Sequence, residues 1–349
     1  MTGQTLSSRL ATRWPLLQAP MAGAQDSAMA LAVSGAGGLG ALPCAMLAPD
    51  ALRRELQTLA ASGLPYNVNW FCHPPPAPDA AREAAWRAAL KPYFDELGLD
   101  PEAVPGGPGR APFSREAAEL MAEFRPPVVS FHFGLPAPEL LTRVKSWGAF
   151  VLSSATTVRE ALWLQEHGAD AIIAQGLEAG GHRGHFLDDD LSRQMGLLAL
   201  LPRLARALGV PVLAAGGVAD AAAVRAARQL GAAGVQVGTA YLCTPEATTS
   251  ALHRAQLAGD AARHTALTNL FTGRPARGIV NRLMRDGGLL SPEAPAFPLA
   301  TAALAPLRAA AEARGSTDFT PLWAGQRADA CRTVPAAELT RELLAAWSA

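Results

Sequence analysis

Four stretches of this chain repeat one pattern, and that pattern limits the fold more than anything else in it. Residues 34–42 (SGAGGLGAL), 147–153 (WGAFVLS), 167–173 (HGADAII) and 230–237 (LGAAGVQV) each run glycine, alanine, then a short apolar segment. A glycine just past a helix takes the left-handed conformation that ends it, and the apolar run that follows reads as a buried strand. The helices leading in carry their own start signals. Thr157 and Glu160 form a capping box before Ala161, Leu162 and Leu164, and Asp220 caps a helix that stops at Gly231. Helix, glycine, buried strand, repeated, marks βα units around a parallel sheet.

Eight strands are expected, near 16–18, 39–42, 66–69, 128–131, 150–152, 171–174, 212–215 and 235–237. Eight short parallel strands in about this span fit a TIM (β/α)8 barrel better than an open doubly wound sheet. Composition agrees. Half of the residues are hydrophobic and only 17% are charged, below the roughly 25% usual for soluble domains, as expected when strands are covered on both sides.

The rhythm breaks twice. Residues 74–127 open on three prolines and hold the loop 105–109 (PGGPG) between helices expected near 79–97 and 114–125, an insertion after the third strand. The chain beyond about 260 lacks the repeat. The expected organisation is a barrel over 1–260, including the helical insertion 74–127, with 261–349 as helices and loops packed across the barrel mouth.

Several function classes fall away. Thirty basic and thirty acidic residues give zero formal charge, with no basic stripe interleaved with aromatics, so nucleic acid is not an expected partner. No apolar run is long enough to span a bilayer and the first residues lack a signal-peptide core, so no membrane is expected. The four cysteines are scattered without a C-x-x-C pair, which speaks against zinc or a disulfide framework and for a reducing cytoplasm. The run 188–190 of three aspartates beside His182 and His185 reads as a solvated loop, so no metal is expected. A monomer or homodimer is the expected state.

Barrel chemistry collects at the C-terminal strand ends, and phosphates bind the loops after the seventh and eighth strands. Those strands run into Gly216 and Gly217, and into Gln236, Val237, Gly238 and Thr239. Glycines let backbone N–H groups approach a phosphate, and the Thr239 hydroxyl adds a donor. Asn69 and Gln175 end two other strands with amides, which suit the alternating donor and acceptor edge of an isoalloxazine ring. The first strand runs into the small-residue turn of Met21 and Ala22, against which a flat ring can lie. FMN is the cofactor this combination favours.

Seven segments, LLQAPMAG (16–23), NVNWF (67–71), SFHFGLP (130–136), QGLEAGGHRG (175–184), AAGGVAD (214–220), VQVGTAYL (235–242) and PLWAGQ (321–326), resemble the nitronate monooxygenase family. The resemblance implies FMN contacts at Asn69, Gln175, Gly180, Gly217 and 236–239, and an active-site histidine at His182. It also implies the reaction: an alkyl nitronate is oxidised with O2 to a carbonyl compound and nitrite, without nicotinamide.

Chemically, His182 can accept a carbon-bound proton or, as imidazolium, hold the anionic nitronate. Gly180 and Gly181 beside it are expected to let the chain pass close to the flavin, and His132 is a second substrate-binding candidate across the pocket. His73 reads as loop surface. Arg274 and Arg277 either reach the pocket or pair on the surface. Phe297 stands where a tyrosine is expected, so the substrate wall should be apolar. The competing reading is an NAD(P)H-dependent FMN reductase of the enoyl-ACP or quinone reductase type. A third is a flavin-free phosphate-binding barrel.

Overall fold

A computed structural model describes residues 5–101 and 110–348, so the loop 105–109 lies outside the described residues. Eight of its strands are parallel: β1 (Leu16–Gln18), β2 (Gly40–Pro43), β3 (Tyr66–Phe71), β4 (Val128–His132), β5 (Phe150–Ala155), β6 (Ala171–Gln175), β8 (Val212–Ala215) and β9 (Gly234–Val237). Their spatial order is β1-β9-β8-β6-β5-β4-β3-β2, and a parallel bridge between Leu17 and Leu39 brings the two edges together. The fold is a TIM barrel, with every expected strand in place.

Alternation along each strand sorts the side chains. Leu17, Leu39, Val128, Phe150, Leu152, Ala171, Ile173, Leu213 and Ala215 share one cluster inside the barrel, and Leu6 and Leu10 of an N-terminal helical turn join it. The residues between them face outwards. Ile172, Ala174, Val235 and Val237 pack against the surrounding helices. Each fully buried Leu or Val contributes about 1.5–3 kcal/mol relative to exposure. The helices start as the sequence predicts. Thr157 and Glu160 form the reciprocal capping box, and the Asp220 carboxylate accepts from Ala223 N.

Two helices stand elsewhere than the pattern suggests. Arg115–Phe124 buries Ala118 and Met121 in the core of Val129 and Val151, so it is the barrel's own helix between β3 and β4. Only Ala80–Leu97 departs from the ring; its Trp86, Leu90 and Phe94 pack with Phe271, Leu304 and Leu307 of the later chain. The last helix, Ala336–Ser348, does not cross the mouth, where sequence alone put everything beyond 260. It packs outside the barrel against Ala221–Gln229 and Ser27–Gly35, with Leu339 and Leu343 in the main core. Tyr241 OH shares a hydrogen bond with Thr340 Oγ1 of this helix at 2.8 Å.

The mouth is covered instead by a small antiparallel sheet of β10 (Thr265–Thr268), β11 (Ala276–Ile279) and β7 (Gly181–His182). Trp323 bridges to Gly278 on its far side. Among the described residues, no helix is long and apolar enough to cross a membrane.

Candidate active site

The top of the barrel opens into a cavity of about 340 Å³, within the range usual for small-molecule sites. Met21, Ala22, Asn69, Gln175, Gly180 and Gly181 line it, as do Gly216, Gly217, Gln236, Gly238, Thr239, His132 and His182. Val237 does not. Strand alternation points Gln236 and Gly238 inwards and buries the Val237 side chain among the helices; its carbonyl accepts from Ala19 N at 2.7 Å. Any contact of Val237 with a ligand in the cavity would therefore be through its backbone, which the parity of the strand dictates.

One end of the cavity is mostly backbone. Gly216 and Gly217 have φ of 113° and 71°, a left-handed pair that turns the chain sharply after β8. Thr239 Oγ1 accepts from Gly325 N at 2.9 Å, which leaves its hydroxyl proton free to donate. The buried Gln236 Oε1 has no hydrogen-bond partner within the protein. The turn after β1 is fixed by Gln25, whose Oε1 accepts from Met21 N at 3.0 Å and from Gln18 Nε2 at 2.5 Å.

The other end is built from side chains. The His182 carbonyl accepts from both Gln175 Nε2 (2.9 Å) and His132 Nε2 (3.1 Å). Gln175 Oε1 in turn accepts from Gly184 N at 2.8 Å, and His132 Nδ1 meets Ser154 Oγ at 3.1 Å. Gln175 and His132 therefore border the cavity while holding the backbone from the His182 carbonyl to Gly184 N. Both nitrogens of His132 are engaged by the protein, so it is not the free second donor that its position in the sequence suggests.

Three arginines clamp the same loop. Arg183, fully buried, donates to Gln194 Oε1 (2.8 Å), Gly176 O (2.7 Å) and Gln175 O (2.8 Å). Arg277 Nε donates to Leu177 O at 2.8 Å; Arg274 reaches the His185 carbonyl and lies 4.1 Å over the Phe133 ring. Arg274 and Arg277 thus act on loop carbonyls rather than in the cavity or in surface ion pairs. The capping Glu160 reaches the loop as well, accepting from Phe186 N at 2.9 Å. Gly180, which lines the cavity, also meets a steric demand on its other side. A Cβ there would stand 2.5 Å from Gly325 N, so its lack of a side chain admits the 324–325 backbone.

The His182 ring is held by chemistry distant in sequence. Its Nε2 lies 3.0 Å from Thr272 Oγ1, and the rings of Phe297 and Trp323 stand 5.2 and 5.5 Å away. Desolvation, reinforced by Arg110, His132, Arg274 and His73, holds the imidazole well below its ordinary pKa. His73 is not surface. It is 4% exposed, packs edge-on against Phe297 at 4.7 Å, and burial lowers it to about 4. His132 is likewise lowered to about 4, chiefly by desolvation.

The acidic run lies outside this arrangement. Asp188 pairs with Arg159 and Arg193, Asp190 caps a short turn, and Asp189 is almost fully exposed, 3.5 Å from His185 Nε2.

The profile of the family described as "Nitronate monooxygenase" matches residues 4–346. A nitronate monooxygenase of Pseudomonas aeruginosa is 43% identical over 346 residues, covering 96% of each chain. The chain belongs to the nitronate monooxygenase family. That makes it an oxidoreductase of a flavoenzyme family. Among solved structures, a nitroalkane oxidase from Streptomyces ansochromogenes superposes with a TM-score of 0.87 at 36% identity, over 97% of this chain and 96% of that one. FabK from Thermotoga maritima shares the fold, with a TM-score of 0.72 at 24% identity over 99% of this chain and 97% of that one.

For this nitronate monooxygenase family member, sequence reasoning overlooked several residues that face the cavity. Arg110 and Arg308 line it, as do Phe71, Ser130, Ser154 and His253. Ser130, His132 and Ser154 are inward positions on β4 and β5, which strand alternation alone identifies. No local signal marks Arg110, Arg308 or His253. They reach the mouth from an insertion, a C-terminal helix and the helix Ala251–Ala258.

Proposed function

We propose that this protein binds FMN in the barrel-mouth cavity and oxidises alkyl nitronates with O2 to a carbonyl compound and nitrite. The observation that carries the reading is the asymmetry of the cavity: a glycine and hydroxyl end opposite a neutral imidazole set in an aromatic, arginine-rich wall. The residues present suit the cofactor. The unpartnered Gln236 Oε1 asks for a donor from outside the protein, as a flavin ring edge provides. Gly216, Gly217, Gly238 and Thr239 would hold the phosphate, with Asn69 and Gln236 beside the ring. When bound, FMN supplies the two-electron acceptor that passes electrons on to oxygen.

The chain's own residues account for the substrate side. A nitronate is an anion, and Arg110 and Arg308 bring positive charge to the cavity. Arg110 Nη1 is anchored on Thr301 Oγ1 at 3.2 Å and its guanidinium lies 5.7 Å over the Phe297 ring. His182, kept neutral by its surroundings, does not serve as the cation. It acts as a hydrogen-bonding partner to the substrate and, when a neutral nitroalkane is bound, takes the α-proton on Nδ1, the nitrogen that Thr272 does not engage. Phe71 and Trp323 line the cavity with apolar surface that excludes water.

The test is the absorbance spectrum of the purified protein, followed by anaerobic mixing. A flavin spectrum that bleaches with an alkyl nitronate, and not with NADH or NADPH, is the expected result. Bleaching by a reduced nicotinamide alone would replace this reading with a reductase, and a colourless protein that takes up no FMN would end both.

A further inference from the structure

The four cysteines are all free thiols, but they fall into two classes. Burial pushes the Cys44 and Cys72 thiols up, which keeps them protonated and inert. Cys243 and Cys331 pack in one apolar cluster with Leu242 and Ala328, although 88 residues apart in sequence. Cys243 follows the short turn Thr239–Tyr241 and Cys331 follows the turn Ala328–Ala330. The Cys331 thiol also donates to the Thr239 carbonyl at 3.0 Å. Contact with Cys331, and then the Arg254 charge, holds the Cys243 thiol below its ordinary pKa against the effect of burial, whereas Cys331 is pushed up by Cys243, burial and Asp329. One sulfur is thus a ready nucleophile and its neighbour a protonated partner, the arrangement of a dithiol that resolves its own oxidation. Cys243 is 6% exposed, which restricts access to small oxidants, and Cys331 is half-buried.

We propose that Cys243 and Cys331 form a peroxide-responsive dithiol, which closes into an intramolecular disulfide and staples the 325–331 segment onto the 238–244 loop. The Cys243 thiolate attacks the O–O bond of a hydroperoxide, gaining one oxygen as sulfenic acid and releasing hydroxide, or alkoxide from an alkyl hydroperoxide. The Cys331 thiol then displaces that oxygen as water and the S–S bond closes. Two electrons pass from the sulfurs to the peroxide, and a small dithiol reverses the change by exchange. The staple lies at the glycine end of the cavity, because Thr239, Gly325 and Arg327 all line it. Gly325 N already donates to Thr239 Oγ1, and Gln326 N to Glu178 O. A covalent link beside these bonds restrains the opening through which a cofactor phosphate would leave.

The experiment treats the purified full-length protein with a small molar excess of hydrogen peroxide, blocks the remaining thiols, and maps peptides without reduction. The expected result is loss of two of the four thiols, a peptide linking Cys243 to Cys331 within one chain, and recovery of both thiols with dithiothreitol. Cys243→Ser and Cys331→Ser each abolish the link, and the double variant Cys44→Ser/Cys72→Ser retains it. Sulfinic acid on Cys243 without a cross-link, or pairing to another cysteine or another chain, overturns the proposal. A second measurement rests on the flavin reading above: FMN should dissociate severalfold more slowly from the oxidised protein than from the reduced one. An unchanged rate overturns the link to the cavity. The thiol map does not depend on flavin, so failure of the disulfide and failure of the flavin reading give different results.

Discussion

The two ends of the cavity are made of different materials. Around Gly216, Gly217, Gly238 and Thr239 the wall is mostly backbone, contributed by two consecutive strand ends less than 30 residues apart. Around His182 it is side chains: Gln175 and His132 on the carbonyl, Thr272 on the ring, Phe297 and Trp323 beside it, and Arg183, Arg274 and Arg277 on the loop. A backbone end can hold a constant group such as a phosphate with little regard to neighbouring sequence. A side-chain end sets the protonation state and position of one reactive group, and each of its members is a separate point of failure. Changes at the first end should therefore alter cofactor affinity, and changes at the second should alter turnover.

The sharpest test of that division is His182→Asn. Asparagine retains some hydrogen bonding but cannot accept the proton, and the Gln175 and His132 bonds to the residue 182 carbonyl remain. Turnover of a neutral nitroalkane should fall about 10²- to 10⁴-fold, with a smaller loss for the preformed nitronate and FMN content unchanged. Steady-state rates set against the flavin-to-protein ratio measure this. Full activity would remove His182 from the chemistry, and loss of flavin would show that the two ends are not separable.

Arg183→Met is next in size and acts on stability. It leaves the Gln175 and Gly176 carbonyls and Gln194 Oε1 without their donor in a fully buried place. The cost should be about 3 kcal/mol, read as a melting temperature lower by several degrees. Turnover should fall with it because the His182 loop loses its clamp. A variant as stable and as active as the parent would show that Arg274 and Arg277 suffice.

The same contrast explains what could be read from sequence. The strands were legible because glycine, alanine and an apolar run is local, and each barrel strand supplies both faces of its own burial pattern. The glycine turns after β8 and β9 were legible for the same reason. His182 stood out through its glycines, yet the reason for those glycines was not visible: Gly180 makes room for the 324–325 backbone, a contact made across some 145 residues. His73 looked like loop surface because nothing nearby in sequence announces Phe297 packing on it. The final helix was misplaced because residues 238–335 intervene between β9 and the helix that packs beside Ala221–Gln229. The outward side chain of Val237 was legible too, since its parity on β9 follows from strand alternation.

At the glycine end, Gly217→Ala is the matching prediction. Residue 217 sits at φ 71°, where a Cβ costs roughly 1–2 kcal/mol, and the new atom would meet nothing nearer than Glu178 Cβ at 3.5 Å. The penalty comes from the backbone rather than a clash, and it should appear as FMN affinity weakened about tenfold by fluorescence titration. With FMN saturating, turnover should stay within about twofold of the parent. A large loss of turnover at saturation would break the division from the other side.

The smallest effect concerns pH. An exposed histidine titrates near 6.5, so a catalytic imidazole of ordinary pKa would lose its basic form steadily between pH 8 and pH 6. Desolvation and the surrounding cations hold His182 well below that value, so its neutral form persists across this interval. For the free enzyme, kcat/KM for a nitronate should therefore be nearly flat from pH 8 to pH 6 and decline only at lower pH. Folding follows the same sign. The unfolded chain takes up protons on His73, His132 and His182 as pH drops through 6.5, while the folded chain does so only at lower pH, near 4 for His73 and His132. Stability is therefore full above about pH 6.5 and is lost progressively below it. A kcat/KM profile with an inflection near 6.5 would show that the aromatic wall does not desolvate the His182 ring, and would return it to the role of a charged anion holder.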